Sequence, residues 1–116
     1  RDIALQEHAL INGATEAMVQ CAYEVTRRPE ELRWEAYLTG RFAKVDNALQ
    51  VIAGSTSDLL DAGDTLSLNQ CALIAALGYA DLRFSNRIDW RSHDALNRFW
   101  AEMDIRESFS ATTPKP

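Results

Sequence analysis

With 116 residues, a formal charge of −5 and 25% charged residues, the chain has the make-up of one globular domain, large enough for a core without disulfides or a structural metal. An acidic balance without clustered Lys and Arg excludes a surface built for phosphate, so neither nucleic acid nor an anionic membrane is an expected partner. The longest apolar run, Cys71 to Ala80, is too short to span a bilayer, and no basic-then-apolar leader opens the sequence, so a cytoplasmic protein is expected.

Helical spacing begins almost at Arg1, which points to a piece of a longer chain. No segment alternates with the period of two that a strand requires, and the expected fold class is all-α. The first predicted helix runs from about Asp2 to Thr26. At 100° per residue, Leu10, Ala14, Ala17, Cys21 and Val25 share the face expected in the core. Asn12, Glu16, Val19, Tyr23 and Thr26 share the opposite face. A plain solvated face would do without Val19 and Tyr23, and this mix of apolar and polar groups is the kind of lining that a small-molecule cleft uses.

Pro29 suits the first turn of a helix, and Glu30 and Glu31 favour its positive end, so a second helix is predicted from there to about Ala53. Leu38, Phe42, Val45, Leu49 and Ile52 follow at 4-3-4-3 spacing as its buried seam. Trp34, Tyr37 and Arg41 lie off that seam, either against a partner subunit or over a neighbouring helix. A loop follows, punctuated by Gly54 and Gly63, with Leu59 and Leu60 tucked against the core. Ser67 and Gln70 then have the spacing of a capping box, in which the hydroxyl accepts from the Gln70 amide while the Gln70 side chain reaches back. The run behind it is apolar on every face, which predicts a central helix enclosed by others. After a polar connection carrying Ile88 and Trp90, a fourth helix places Leu96, Phe99, Trp100 and Met103 on one stripe, with Ser92 or Asp94 as its cap. A short turn is predicted at Ser108 and Phe109 before the Pro-containing tail.

Little of this composition carries chemistry. Cys21 and Cys71 sit in apolar helical surroundings without a second ligand at metal spacing, and both are expected as buried thiols. His8 reads as an exposed helix residue and His93 as a helix-start residue. No carboxylate pair has a spacing that specifies acid and base work, and the five glycines stand apart, so no phosphate cradle is formed. No catalytic residue and no metal site is expected.

Four segments, RRPEELRWEAYL, DTLSLNQCALIAALGYADLRF, DWRSHDALNRFWAEM and RESFSATTP, occur in an order and spacing that resemble the C-terminal helical domain of cytosolic glutathione S-transferases of bacterial type. The resemblance covers nearly the whole chain and implies a glutathione S-transferase C-terminal-like helical bundle around a buried, N-capped central helix. It also implies that a thioredoxin-like N-terminal domain, which activates the glutathione thiol, lies outside these residues. This domain would then contribute the electrophile pocket and a homodimer interface without being catalytic alone, in a detoxifying conjugation. Glutathione would be co-substrate of the full-length protein, with a hydrophobic electrophile as its partner and no other cofactor. By the same resemblance Glu16 corresponds to the acidic residue that reaches across the dimer toward the γ-glutamyl amine, while Ala22, Tyr23 and Thr26 correspond to positions lining the electrophile pocket. Trp34 and Tyr37 fall near the dimer interface. Three positions depart from the family pattern: Gln70 stands where Asp is usual, and Asp94 and Glu107 where many relatives have Pro. The alternative is a stand-alone, non-enzymatic helical module for assembly or binding; a third reading is a transferase fold that has lost catalysis.

Overall fold

The computed structural model describes residues 2–54, 58–61, 63 and 65–104; the expectations for Glu107, Ser108, Phe109 and the tail lie outside them. Four α-helices, α1 (Asp2–Arg27), α2 (Glu35–Ala53), α3 (Leu68–Phe84) and α4 (Asp94–Asp104), are joined by single 3-10 turns at Glu30–Leu32, Asp58–Leu60 and Trp90–Ser92. Among the described residues there is no strand, as the absence of two-residue alternation requires.

Helix α1 packs against both α2 and α3, and its buried arc is wider than one partner would need. Ala14, Ala17 and Cys21 are buried as expected, Leu10 and Val25 pack at the margin, and Ile11 and Met18 complete the arc. Burial raises the Cys21 thiol pKa, partly opposed by Arg87 and Arg41, so this cysteine is held as a neutral thiol.

The predicted second helix does not run unbroken from Pro29. One 3-10 turn is followed by extended backbone at Arg33, and α2 starts at Glu35. The break is stabilised from α1. The Trp34 amide donates to Glu24 Oε2 at 2.7 Å, and Arg33 Nη2 donates to the Val25 carbonyl at 2.9 Å. Those side chains satisfy backbone groups that a continuous helix would have paired internally. Beyond the break, every residue of the predicted seam, Leu38, Phe42, Val45, Leu49 and Ile52, is buried.

The start of α3 is the expected capping box: Gln70 N donates to Ser67 Oγ at 3.1 Å, and Ser67 N donates to Gln70 Oε1 at 2.9 Å. Gln70 Nε2 goes further, donating to the carbonyls of Leu59 and Asp61 at 3.1 Å each. It thereby ties the turn carrying the buried Leu59 to the helix start. Leu73, Ala76, Leu77, Ala80 and Phe84 are buried. The expectation of a helix enclosed on all sides is corrected, because Leu68, Cys71, Ala75 and Leu82 form one exposed arc. Cys71 is therefore exposed, contrary to the pattern reading, which had no polar residue in the run to mark an outer face.

Helix α4 buries Leu96, Phe99 and Met103, with Trp100 half-buried beside Trp90 at a centroid distance of 5.3 Å. Neither predicted cap works as one. Ser92 Oγ donates to the Asp89 carbonyl, and Asp94 is already the first helical residue, where its charge favours the positive end. The connection before α4 is latched to α3: Asp81 accepts from the indole N–H of buried Trp90 at 3.1 Å and from Arg91 Nη2 at 2.6 Å. Arg91 is about half exposed, so its ion pair contributes little, whereas loss of the carboxylate orphans a buried donor. Asp81→Ala is expected to cost about 1–2 kcal/mol in a denaturant titration. A shift in midpoint no larger than that of Arg91→Ala would mean that the indole bond contributes nothing.

Candidate functional site

The outer stripe of α1 is as the periodicity predicts: Asn12, Glu16, Val19, Tyr23 and Thr26 are all exposed. Glu16 and Tyr23 are seven residues apart, about 10 Å along the helix. Tyr23 is the one brought into a cleft. Because α1 and α2 run antiparallel across the Glu24 clamp, the C-terminal end of α1 meets the start of α2. Gln20, Tyr23, Glu24, Arg27, Arg28, Trp34 and Tyr37 line an open cleft of about 380 Å³ there.

Aromatic faces and cations build this cleft. Trp34 stacks on Tyr37 with centroids 5.4 Å apart at 21°, and the Arg27 guanidinium lies 5.0 Å from the centre of the Tyr23 ring. Arg41 lies 5.8 Å from the Tyr37 ring and donates to Gln20 Oε1 at 3.5 Å. Trp34 is 60% exposed and Tyr23 55%, large values for side chains with so much apolar surface to hide. The Glu24 carboxylate is fully engaged, by the Trp34 amide on one oxygen and by Arg28 Nε at 3.3 Å on the other.

The other predicted site residues are not brought into this cleft. Ala22 is half-buried and packed against the core, and Thr26 uses its hydroxyl proton on the Ala22 carbonyl at 2.7 Å. Glu16 is exposed on the neighbouring part of α1. Sequence reasoning missed Arg27 and the Glu24 clamp. The spacing of Tyr23 to Arg27 and of Trp34 to Tyr37 held a signal, since residues three or four apart share a helical face, but their meeting depends on the α1–α2 register.

Two larger concavities lie elsewhere on the surface. One, of about 750 Å³, runs along α1 and α2 over small residues including Ala9, Gly13, Gly40 and Ala43. The other, of about 790 Å³, lies at the start of α1 and α3 beside Ile3, Leu5 and Leu68, all of them exposed. Among the described residues no group of three or more His, Cys, Asp or Glu side chains could hold a metal ion, and no helix is long and apolar enough to cross a membrane.

No family model matches the chain, and no curated protein does. Solved structures match closely. A glutathione transferase family member from Pseudomonas fluorescens Pf-5, with bound S-(propanoic acid)-glutathione, is 31% identical with a TM-score of 0.85 over 97% of this chain and 56% of its own. The same family member with bound glutathione gives 31% identity and a TM-score of 0.86 over 97% of this chain and 54% of its own. A glutathione S-transferase from Methylobacillus flagellatus KT, with glutathione bound, is 31% identical with a TM-score of 0.79 over 95% of this chain and 55% of its own. The chain thus spans little more than half the length of the structures it matches.

Proposed function

We propose that this chain, a helical domain of the glutathione transferase C-terminal type, forms the co-substrate wall and a dimer face of an enzyme that adds glutathione to an electrophile. The observation that carries the reading is the 31% identity and TM-score of 0.86, over 97% of the chain, to a family member with glutathione bound. The nucleophile in such a reaction is a thiolate, so some group must lower the thiol pKa. In this reading a thioredoxin-like domain, not contained in these residues, holds most of glutathione and activates its thiol, and the helical domain is inactive alone.

Glu16 is proposed to accept from the γ-glutamyl ammonium of glutathione bound to the partner subunit. Its exposure on the outer stripe of α1 leaves the carboxylate open to such a contact. Tyr23 is proposed as part of the electrophile wall, with Ala22 and Thr26 on either side of it along α1. The groove of small residues along α1 and α2 would let a second copy approach closely, and its neighbours Trp34 and Tyr37 are residue types enriched at interfaces. A cytoplasmic setting, which keeps thiols reduced, suits the two free cysteines.

The test is steady-state kinetics of the intact protein. Glu16→Ala removes a charge-assisted contact remote from the reacting sulfur, so the KM for glutathione should rise about tenfold while kcat changes less than about twofold. An unchanged KM would remove Glu16 from glutathione binding.

A further inference from the structure

We infer that Lys44 is a second binding residue for the glutathione held by the partner subunit: its ammonium takes the α-carboxylate of the γ-glutamyl group, while Glu16 takes the α-ammonium. The inference rests on the proposed role of Glu16 and assigns the other half of the same contact.

The ligand sets the requirement. Glutathione is joined through its γ-carboxyl, so one carbon at that end keeps both a free ammonium and a free carboxylate. An acidic side chain alone answers half of this zwitterion and repels the other half. A site that reads the whole group needs one charge of each sign, close together but not bonded to each other. The junction of α1 and α2 supplies such a pair. Gly13 lies three residues before Glu16, about 4.5 Å along α1. A Cβ at Gly13 would be 3.6 Å from Lys44 Cε and 3.9 Å from Lys44 Nζ, so the glycine leaves open the place where the lysine reaches α1. Glu16 and Lys44 are both exposed, and neither makes an ion pair among the described residues. The two opposite charges are thus neighbours that do not neutralise each other.

Lys44 is the single charged side chain among the described residues lining the groove of small residues, where Gln6 and Asn47 are its polar companions. The nearest cation before it on α2, Arg41, is turned away, to Gln20 Oε1 at 3.5 Å and to the Tyr37 ring. A carboxylate arriving at this groove therefore meets one ammonium, and the bond between them is charge-assisted. The groove is also the face assigned above to a second copy, and a ligand carried by that copy arrives there with it. Glu16 and Lys44 are complete as a site only in the dimer.

The experiment is a calorimetric titration of the intact protein with three peptides: glutathione, glutarylcysteinylglycine, which lacks the ammonium, and 4-aminobutyrylcysteinylglycine, which lacks the α-carboxylate. The parent should bind each truncated peptide about tenfold more weakly than glutathione. Lys44→Gln should weaken glutathione and the glutaryl peptide about tenfold and leave the aminobutyryl peptide within about twofold. Glu16→Gln should do the converse, weakening glutathione and the aminobutyryl peptide and leaving the glutaryl peptide within about twofold. Equal weakening of all three peptides by Lys44→Gln is the mark of a purely structural or dimer-packing role and would overturn the inference. Glutathione binding indifferent to Lys44→Gln would overturn it too. In both cases a Glu16→Gln variant that keeps its expected pattern leaves the transferase reading standing, whereas a parent protein that binds no glutathione would fail that reading and this inference with it.

Discussion

Leu73→Asp is expected to leave no folded domain at 25 °C. Leu73 has no exposed surface and sits in the middle of α3. Losing a buried leucine costs about 2–5 kcal/mol. Placing a carboxylate there adds several more, because a charge leaves water for an apolar core or the group must take up a proton to enter. Together these are comparable to the roughly 5–15 kcal/mol that holds a domain of this size. Circular dichroism and denaturant titration would read the loss directly. Ala75→Asp, on the exposed arc of the same helix, is the companion variant and should fall within about 0.5 kcal/mol of the parent. A stable, folded Leu73→Asp protein would mean that α3 is misplaced.

Gln70→Ala is expected to cost about 3 kcal/mol, more than any ordinary loss of a helix cap. The side chain is 5% exposed; its Oε1 accepts from the Ser67 amide, and its Nε2 donates to the carbonyls of Leu59 and Asp61. Each net bond contributes about 1 kcal/mol, and a buried carbonyl left unpaired adds a desolvation penalty. Ser67→Ala removes only the bond from Oγ to the Gln70 amide and should cost about 1 kcal/mol. With the two reciprocal cap bonds taken as equal, the difference between the two costs reports the bonds made by Nε2. Equal costs would show that the tie to the Leu59 turn is idle. Gln70→Asp, which installs the residue usual in the family, should fall between them, since a carboxylate can complete the cap but donates nothing to the two carbonyls.

Gln70 also marks how far the fold was legible in sequence. Ser67 and Gln70 are local partners, so their spacing announced the cap; Leu59 and Asp61 are reached only through a loop that spacing does not describe. The seam from Leu38 to Ile52 was legible for the same reason, because helical period and burial coincide there. The break at Arg33 and Trp34 was not. Pro29 and two glutamates carry every local sign of a helix start, and the chain departs from it because Glu24, ten residues earlier, takes the Trp34 amide. The open arc of α3 is not legible, because an all-apolar run offers no polar residue by which to orient it, and the exposure of Cys71 goes with that arc. The candidate site divides along the same line. The α1 stripe followed from its period, whereas Ala22, about 100° off the Tyr23 direction, came only from family resemblance. Arg27 and Trp34 became a site only once α1 and α2 were set in register.

The central claim is that this domain serves a glutathione-dependent enzyme, and the most direct measurement is a glutathione titration of the protein isolated from the cells that make it. The account predicts saturable binding of glutathione by a protein well above 13.0 kDa, weakened by Glu16→Ala and unaffected by Ser67→Ala under conditions where both variants are folded. A 13.0 kDa product that self-associates and binds no glutathione at millimolar concentration would contradict it and make the chain a helical assembly module.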